Sequence, residues 1–131
     1  MKNREIIAYL NGLIEVTNNQ GDAIKKDPSI RRFPAKVSFA INRNKKVLIE
    51  EYKTYLETLQ GLNKQYDLNM TTEGKVELSS LPVKDKDKYI AELNSLQDVN
   101  VEVDIHKINE AAFGDYEPTL KELELLDFMF E

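Results

Sequence analysis

The hydrophobic residues near the start of the chain repeat at the spacing of an α-helix. Intervals of four and three residues place side chains on one helix face, and the residues spaced in this way are Ile6, Leu10 and Leu13. Asn3 can cap such a helix, and Gly21 stands where a C-terminal cap is expected. The pattern predicts a helix over about residues 4–19 and a linker over residues 20–33.

A longer stripe with the same period follows. Its members are Val37, Ile41, Asn44, Leu48, Tyr52, Tyr55, Leu59, Leu62 and Tyr66, at a mean spacing of about 3.6 residues. They predict a helix over residues 34–66, which would reach about 50 Å, whereas a chain of this size folds to a diameter of about 36 Å. The stripe therefore needs a cover beyond the first helix. The C-terminal elements, a second copy in a coiled-coil-like pairing or a different protein could supply it.

Asn44 is the polar member of this stripe. A buried amide in a helix interface can set register and partner choice. If the beginning of the helix is exposed, Asn44 is instead an ordinary surface residue. If the cover that the stripe needs comes from a partner, Asn44, Leu48, Tyr52, Tyr55 and Leu59 form a candidate partner-binding set, which we call the long-helix stripe.

The second half of the chain mixes strand-like and helical patterns. Apolar residues alternate on both sides of residues 71–74, which predicts a short β-hairpin over residues 68–78. Residues 84–97 have helical spacing, with Asp85 or Asp87 as the cap. Residues 99–105 alternate between apolar and polar, which predicts a half-buried strand. Thr119 and Glu122 have the spacing of a capping box before a last helix.

The fold class expected from these patterns is α+β, in one domain spanning residues 1–131. A helical hairpin over residues 4–66, with one helix of about 30 residues, would pack on the small α+β portion over residues 67–131. That portion would contain a small antiparallel sheet and two shorter helices.

Composition excludes several classes of function. The chain has 131 residues, of which 41% are hydrophobic and 31% charged, with a single histidine and no cysteine. These values are typical of a globular domain and exclude disulfide frameworks, thiolate metal sites and cysteine nucleophiles. The five glycines form no phosphate-binding motif, and no apolar run has the length of a membrane span or a signal peptide. We therefore expect a protein of the cytoplasm with no cofactor, no metal and no membrane contact.

One local group of residues has the chemistry of an active site. Glu102, Asp104 and His106 alternate along the predicted strand, so they would project from the same face. Alternation alone requires polar residues on the solvent face of a half-buried strand. We therefore predict no catalytic residue and no metal ligand here. An enzyme centred on these three side chains remains the alternative.

Charge is separated along the chain, although the net charge is only −5. Residues 24–46, the basic segment, hold one acidic residue and eight basic ones: Lys25, Lys26, Arg31, Arg32, Lys36, Arg43, Lys45 and Lys46. Residues 102–131, the acidic segment, hold nine acidic residues and two basic ones. The basic segment could bind phosphates or nucleic acid. The two segments could instead attract each other, within one chain or between copies.

Residues 33–44, with the sequence FPAKVSFAINRN, resemble the opening LPAKLSYxIxKN of a known family. It comprises small proteins of unknown function encoded by tailed phages and prophages of low-GC bacteria. The later order of elements is similar over about residues 5–131. The chain departs from that pattern at Phe33, where the family usually has leucine, and in the longer basic loop before it. The resemblance implies a phage origin and no known enzyme activity, and it supplies no functional residues.

The expected function is that of a non-catalytic phage accessory protein acting through protein–protein contacts. Its partner would be a host protein, a phage structural protein or a second copy. It could inhibit a host or defence protein in the host cytoplasm, with the acidic segment acting as a phosphate mimic. The alternatives are a minor head or tail component of the virion and a nucleic-acid-binding protein that uses the basic segment.

Overall fold

Helices form most of the part of the chain that the structure describes, which is residues 1–68, 76–79 and 81–131. In this computed structural model α1 spans Asn3–Lys26, α2 spans Ala35–Gln65, α3 spans Val83–Gln97 and α4 spans Leu120–Leu126. Two short 3₁₀ helices, Glu110–Phe113 and Asp127–Met129, flank α4. The long α2 packs along α1, so the predicted helical hairpin is confirmed.

The first helix is longer than the sequence pattern predicts. It passes through the exposed Gly21 and ends at Lys26, so the predicted cap at Gly21 is wrong. Pro28 disfavours helical geometry at the residue before it, and Asp27 is accordingly extended, with φ of −143°. The Asp27 carboxylate accepts hydrogen bonds from the backbone N–H and the hydroxyl of Ser29. The linker therefore shrinks to residues 27–34.

The main core lies between α1, the first half of α2 and the C-terminal segment. Its most deeply buried side chains are those of Ile6, Leu13, Val16, Val37, Leu48, Leu126 and Met129. A second, smaller group packs where α3 meets the far half of α2, and it contains Tyr55, Leu59, Leu68 and Tyr89. The Tyr89 hydroxyl donates to Oδ1 of the buried Asn63 at 2.6 Å. The far half of α2 is therefore covered by the same chain.

The expected α+β class is wrong, because the described residues form helices and no sheet. Pairing of extended backbone among them is limited to two isolated bridges, Lys2 with Asn100 and Ile108 with Phe130. The turn of the predicted hairpin falls on residues 69–75, outside the described residues. Residues 101–105 keep the predicted alternation, with Val101, Val103 and Ile105 half-buried against the core, whereas Val99 is exposed. They form no strand, because the elements packed against them are helices and provide no ladder of hydrogen bonds.

The remaining predicted helices are present with small changes at their ends. Pro82, rather than Asp85 or Asp87, precedes the first turn of α3, and Asp85 lies within that turn. Lys2 likewise replaces Asn3 as the residue before α1, because the Asn3 side chain is buried and donates to the Leu96 carbonyl at 2.8 Å. The capping box of Thr119 and Glu122 at α4 is confirmed.

Candidate interaction surfaces

The long-helix stripe lies inside the protein. Asn44, Leu48, Tyr55 and Leu59 are buried, and Tyr52 is half-buried with its ring against that of Tyr55. The sequence-based hypothesis required an uncovered stripe, and that premise is wrong because α1, α3 and the C-terminal segment cover it. Binding a partner through these residues would require the chain to open.

Asn44 makes two hydrogen bonds to the backbone of a single residue. Its Nδ2 donates to the His106 carbonyl at 3.0 Å, and its Oδ1 accepts from the His106 N–H at 2.7 Å. The side-chain amide thus bonds to both backbone groups of His106, as the facing residue of a neighbouring β-strand would. The Asn44 side chain therefore joins α2 to the C-terminal segment of the same chain.

The basic segment faces solvent. Of its eight cationic side chains, seven are exposed and Lys45 is half-buried. The Lys45 ammonium donates to the Thr17 hydroxyl at 3.3 Å, and the Arg31 guanidinium donates to the Asp115 carbonyl at 2.9 Å. Within the described part of the chain, no ion pair joins the basic segment to the acidic segment. The observed ion pairs therefore give no support to attraction between the two segments within one chain.

Three cationic side chains and one aromatic ring lie together on an exposed face of α2. They are Lys36, Phe39, Arg43 and Lys46, spaced by three and four residues, and we call them the Phe39 face. Phe39 is 57% exposed, which is unusual for so large an apolar side chain. Its ring makes an edge contact with the imidazole of His106 at a centroid distance of 5.4 Å. The aromatic group is therefore held in place while much of it faces solvent.

A shallow cleft of about 720 Å³ adjoins Phe39. Its apolar wall is formed by Ala35, Ile108, Ala111 and Ala112, and its polar rim by Lys36, His106, Lys107, Asn109 and Glu131. The Lys107 ammonium is fixed by donating to the Phe128 carbonyl at 2.6 Å. The cleft can accept an apolar side chain with polar groups around it.

Glu102, Asp104 and His106 do not converge on one site. Glu102 and Asp104 are exposed and line a second cleft beside Met1, whereas His106 is half-buried and lines the cleft beside Phe39. Among residues 1–68, 76–79 and 81–131, no three side chains with metal-binding groups come together. The arrangement therefore gives no geometric support to an enzyme centred on these residues.

Sequence reasoning assigned no role to Phe39 because the residue lies off the apolar stripe of α2. That displacement was itself an available signal, since it places a large aromatic residue on the polar side of an amphipathic helix, and aromatic residues are enriched at interfaces. The cleft beside it was not predictable, since the 3₁₀ helix that forms one wall comes from a distant part of the chain.

Comparison of the chain with protein-family models, with curated proteins and with solved structures found no match in any of the three. In the described part of the chain, no helix combines the length and hydropathy needed to cross a membrane.

Proposed function

We propose that this chain is a non-catalytic phage accessory protein that binds another protein through the Phe39 face. The observation that carries the proposal is the exposure of Phe39, at 57%, between three cationic side chains. Aromatic residues and arginine are the groups most enriched at protein interfaces. The phage origin rests on the resemblance of residues 33–44.

The chemistry of the Phe39 face indicates the kind of partner that fits. Lys36, Arg43 and Lys46 surround Phe39 with positive charge, which favours an acidic surface. Phe39 would enter an apolar recess of that surface, and the adjoining cleft would receive an apolar side chain in return. The partner is therefore a protein with an acidic rim around an apolar recess.

The role we favour is that of an inhibitor of a host or defence protein, working in the host cytoplasm. The separation of the basic segment from the acidic segment supports this role, because surfaces of one charge sign discriminate among partners and speed association. A minor component of the phage head or tail is the alternative, and it too would act through protein contacts.

Nucleic acid is the competing ligand, because an exposed aromatic ring among cations can also stack on a base. The cleft beside Phe39 favours a protein instead. Its apolar wall of Ala35, Ile108, Ala111 and Ala112 can receive an apolar side chain, a group that nucleic acid does not carry.

The test is capture of partners by tagged protein from phage-infected cells after nuclease treatment, followed by mass spectrometry. Phe39→Ser removes the proposed anchor without opening the core. Val83→Ser is the matched control, since Val83 is 73% exposed and lies on α3. We expect a stoichiometric protein partner whose Kd rises by about tenfold or more with Phe39→Ser, as for an interface anchor, and is unchanged with Val83→Ser.

Head or tail proteins among the captured partners would assign the virion role, and a host protein the inhibitor role. Binding that Phe39→Ser leaves intact would contradict the proposal. Protein prepared without nuclease treatment can be tested for bound nucleic acid. If it binds nucleic acid with an affinity that falls steeply with salt, the nucleic-acid alternative replaces the proposal.

A further inference from the structure

A second surface lies at residues 101–105, on a different cleft from the Phe39 face. The side chains alternate between half-buried and exposed, as in a β-strand with one face on a core. Val101, Val103 and Ile105 pack towards the core, and Glu102 and Asp104 face solvent. We call residues 101–105 the open edge.

The backbone of the open edge is paired only at its beginning. The Val101 N–H donates to the Met1 carbonyl at 2.7 Å, and the Val101 carbonyl accepts from the Met1 amino group at 3.1 Å. From Glu102 to Ile105, no peptide group makes a hydrogen bond to any other described residue. The next residue with paired backbone groups is His106, whose N–H and C=O both bond to the Asn44 side chain. A strand-like segment is thus fixed at both ends, while its middle forms no ladder with the described residues.

The direction of the peptide groups places beside Met1 a row that has no partner among the described residues. In an extended segment, alternate residues point their N–H and C=O groups to the same side. Val103 and Ile105 therefore continue the row that Val101 begins with Met1. A cleft of about 850 Å³ is lined by Met1 and residues 100–104, which include Val103, and provides space for another chain.

We propose that the open edge binds an extended basic segment of another protein by β-strand addition. Main-chain hydrogen bonds to the open edge would supply affinity, and alternate side chains would supply specificity. Residues opposite Glu102 and Asp104 would be lysine or arginine, because opposite charges on facing strand positions are stabilising. Residues between them would be apolar and would lie over Val103.

A second copy of this chain is a poorer occupant. Antiparallel pairing of two open edges would place Glu102 and Asp104 of one copy opposite the same acidic residues of the other. Like charges at facing positions are destabilising. Charge complementarity therefore selects a basic partner, and this binding would be independent of the Phe39 face.

The probe for this proposal is a short capped peptide that alternates lysine and valine, titrated into the full chain. Binding is measured by calorimetry and by amide NMR with hydrogen exchange. The amides of residues 102–105 should shift and become protected. Methylation of the peptide's backbone nitrogens should abolish binding, because it removes the donors that a ladder needs.

Variants separate strand addition from general attraction to acidic surface. Glu102→Lys with Asp104→Lys should raise the Kd by about tenfold, since two favourable cross-strand pairs become repulsive. Glu117→Lys with Glu124→Lys is the matched control, because it changes the net charge equally at exposed positions elsewhere in the acidic segment. The control pair and Phe39→Ser should leave the Kd unchanged, which keeps this proposal distinguishable from the proposed function.

Four results would each overturn the proposal. They are absence of binding, equal binding of the methylated peptide, equal weakening by the control pair, and amide protection confined to residues outside the open edge. Concentration-dependent dimerisation that protects residues 102–105 without peptide would identify a second copy as the occupant instead.

Discussion

At the scale of single residues, the buried amide of Asn44 is the interaction with the largest predicted effect on stability. Its side chain has no exposure and bonds to both the N–H and the C=O of His106, which is half-buried. Asn44→Ala leaves these partly buried groups without their partner, and the cost of a fully buried unsatisfied group, about 1–3 kcal/mol, is the upper bound for each. We expect the free energy of unfolding, measured by urea denaturation, to fall by about 2–4 kcal/mol.

Asn42→Ala is the matched control for Asn44→Ala. Asn42 lies on the same helix with its side chain exposed. Its replacement should change the free energy of unfolding by less than about 0.5 kcal/mol. Equal effects of the two substitutions would show that the contact with the His106 peptide contributes little.

At the scale of elements, replacing the glycines inside the two long helices should increase the stability of the fold. Gly21 in α1 and Gly61 in α2 are exposed, and an added Cβ at either position meets no other atom within 4 Å. Gly21→Ala and Gly61→Ala should each raise the free energy of unfolding by about 0.5–1 kcal/mol, because alanine has the higher helix propensity.

Gly114→Ala should have the opposite effect, although the space around Gly114 is also open. Its φ of +54° with ψ of −123° is a conformation that a side chain strains. Urea denaturation of the three variants checks both directions. A loss of stability in Gly21→Ala would indicate that α1 does not continue through this position.

At the scale of the whole molecule, Tyr116 joins three parts of the chain and affects stability at alkaline pH. Its hydroxyl donates to Glu122 of α4 at 2.9 Å and accepts from Gln20 of α1 at 3.4 Å, and its ring packs against Phe33 in the linker. Burial, followed by the hydrogen bond to Glu122 and its charge, raises the pKa of Tyr116 from 10.0 to about 12.

A pKa that is higher in the folded state means that folding favours the protonated phenol. The stability that this group contributes is therefore fully present below pH 10 and is lost as the pH rises towards 12. We expect the free energy of unfolding to fall over this interval, and to fall less in Tyr116→Phe. Urea denaturation across the interval, with absorbance titration of tyrosinate, measures both effects.

Tyr52→Phe is the control for this pH dependence, because the Tyr52 hydroxyl makes no hydrogen bond to any residue that the structure describes. Its pH profile should follow that of the parent chain. A Tyr116→Phe profile that also follows the parent would contradict the role given to Tyr116.

The sequence by itself determined the helices, because helical periodicity is a local property. Intervals of three and four residues predicted α2 within one residue at each end, and the spacing of Thr119 and Glu122 predicted the start of α4. Errors arose at helix ends. There a proline, as at Asp27 and Pro28, or a distant acceptor, as for Asn3, outweighed the local signal.

Only the tertiary structure decided what the strand-like residues do and which surfaces stay exposed. Alternation at residues 99–105 specifies one buried face, but a sheet also needs a partner, and here helices and the Asn44 amide take that place. In the same way, periodicity marked the long-helix stripe as apolar but not what would cover it. The exposure of Phe39 and the lack of a backbone partner for Val103 among the described residues depend on contacts between distant segments, which no local pattern contains.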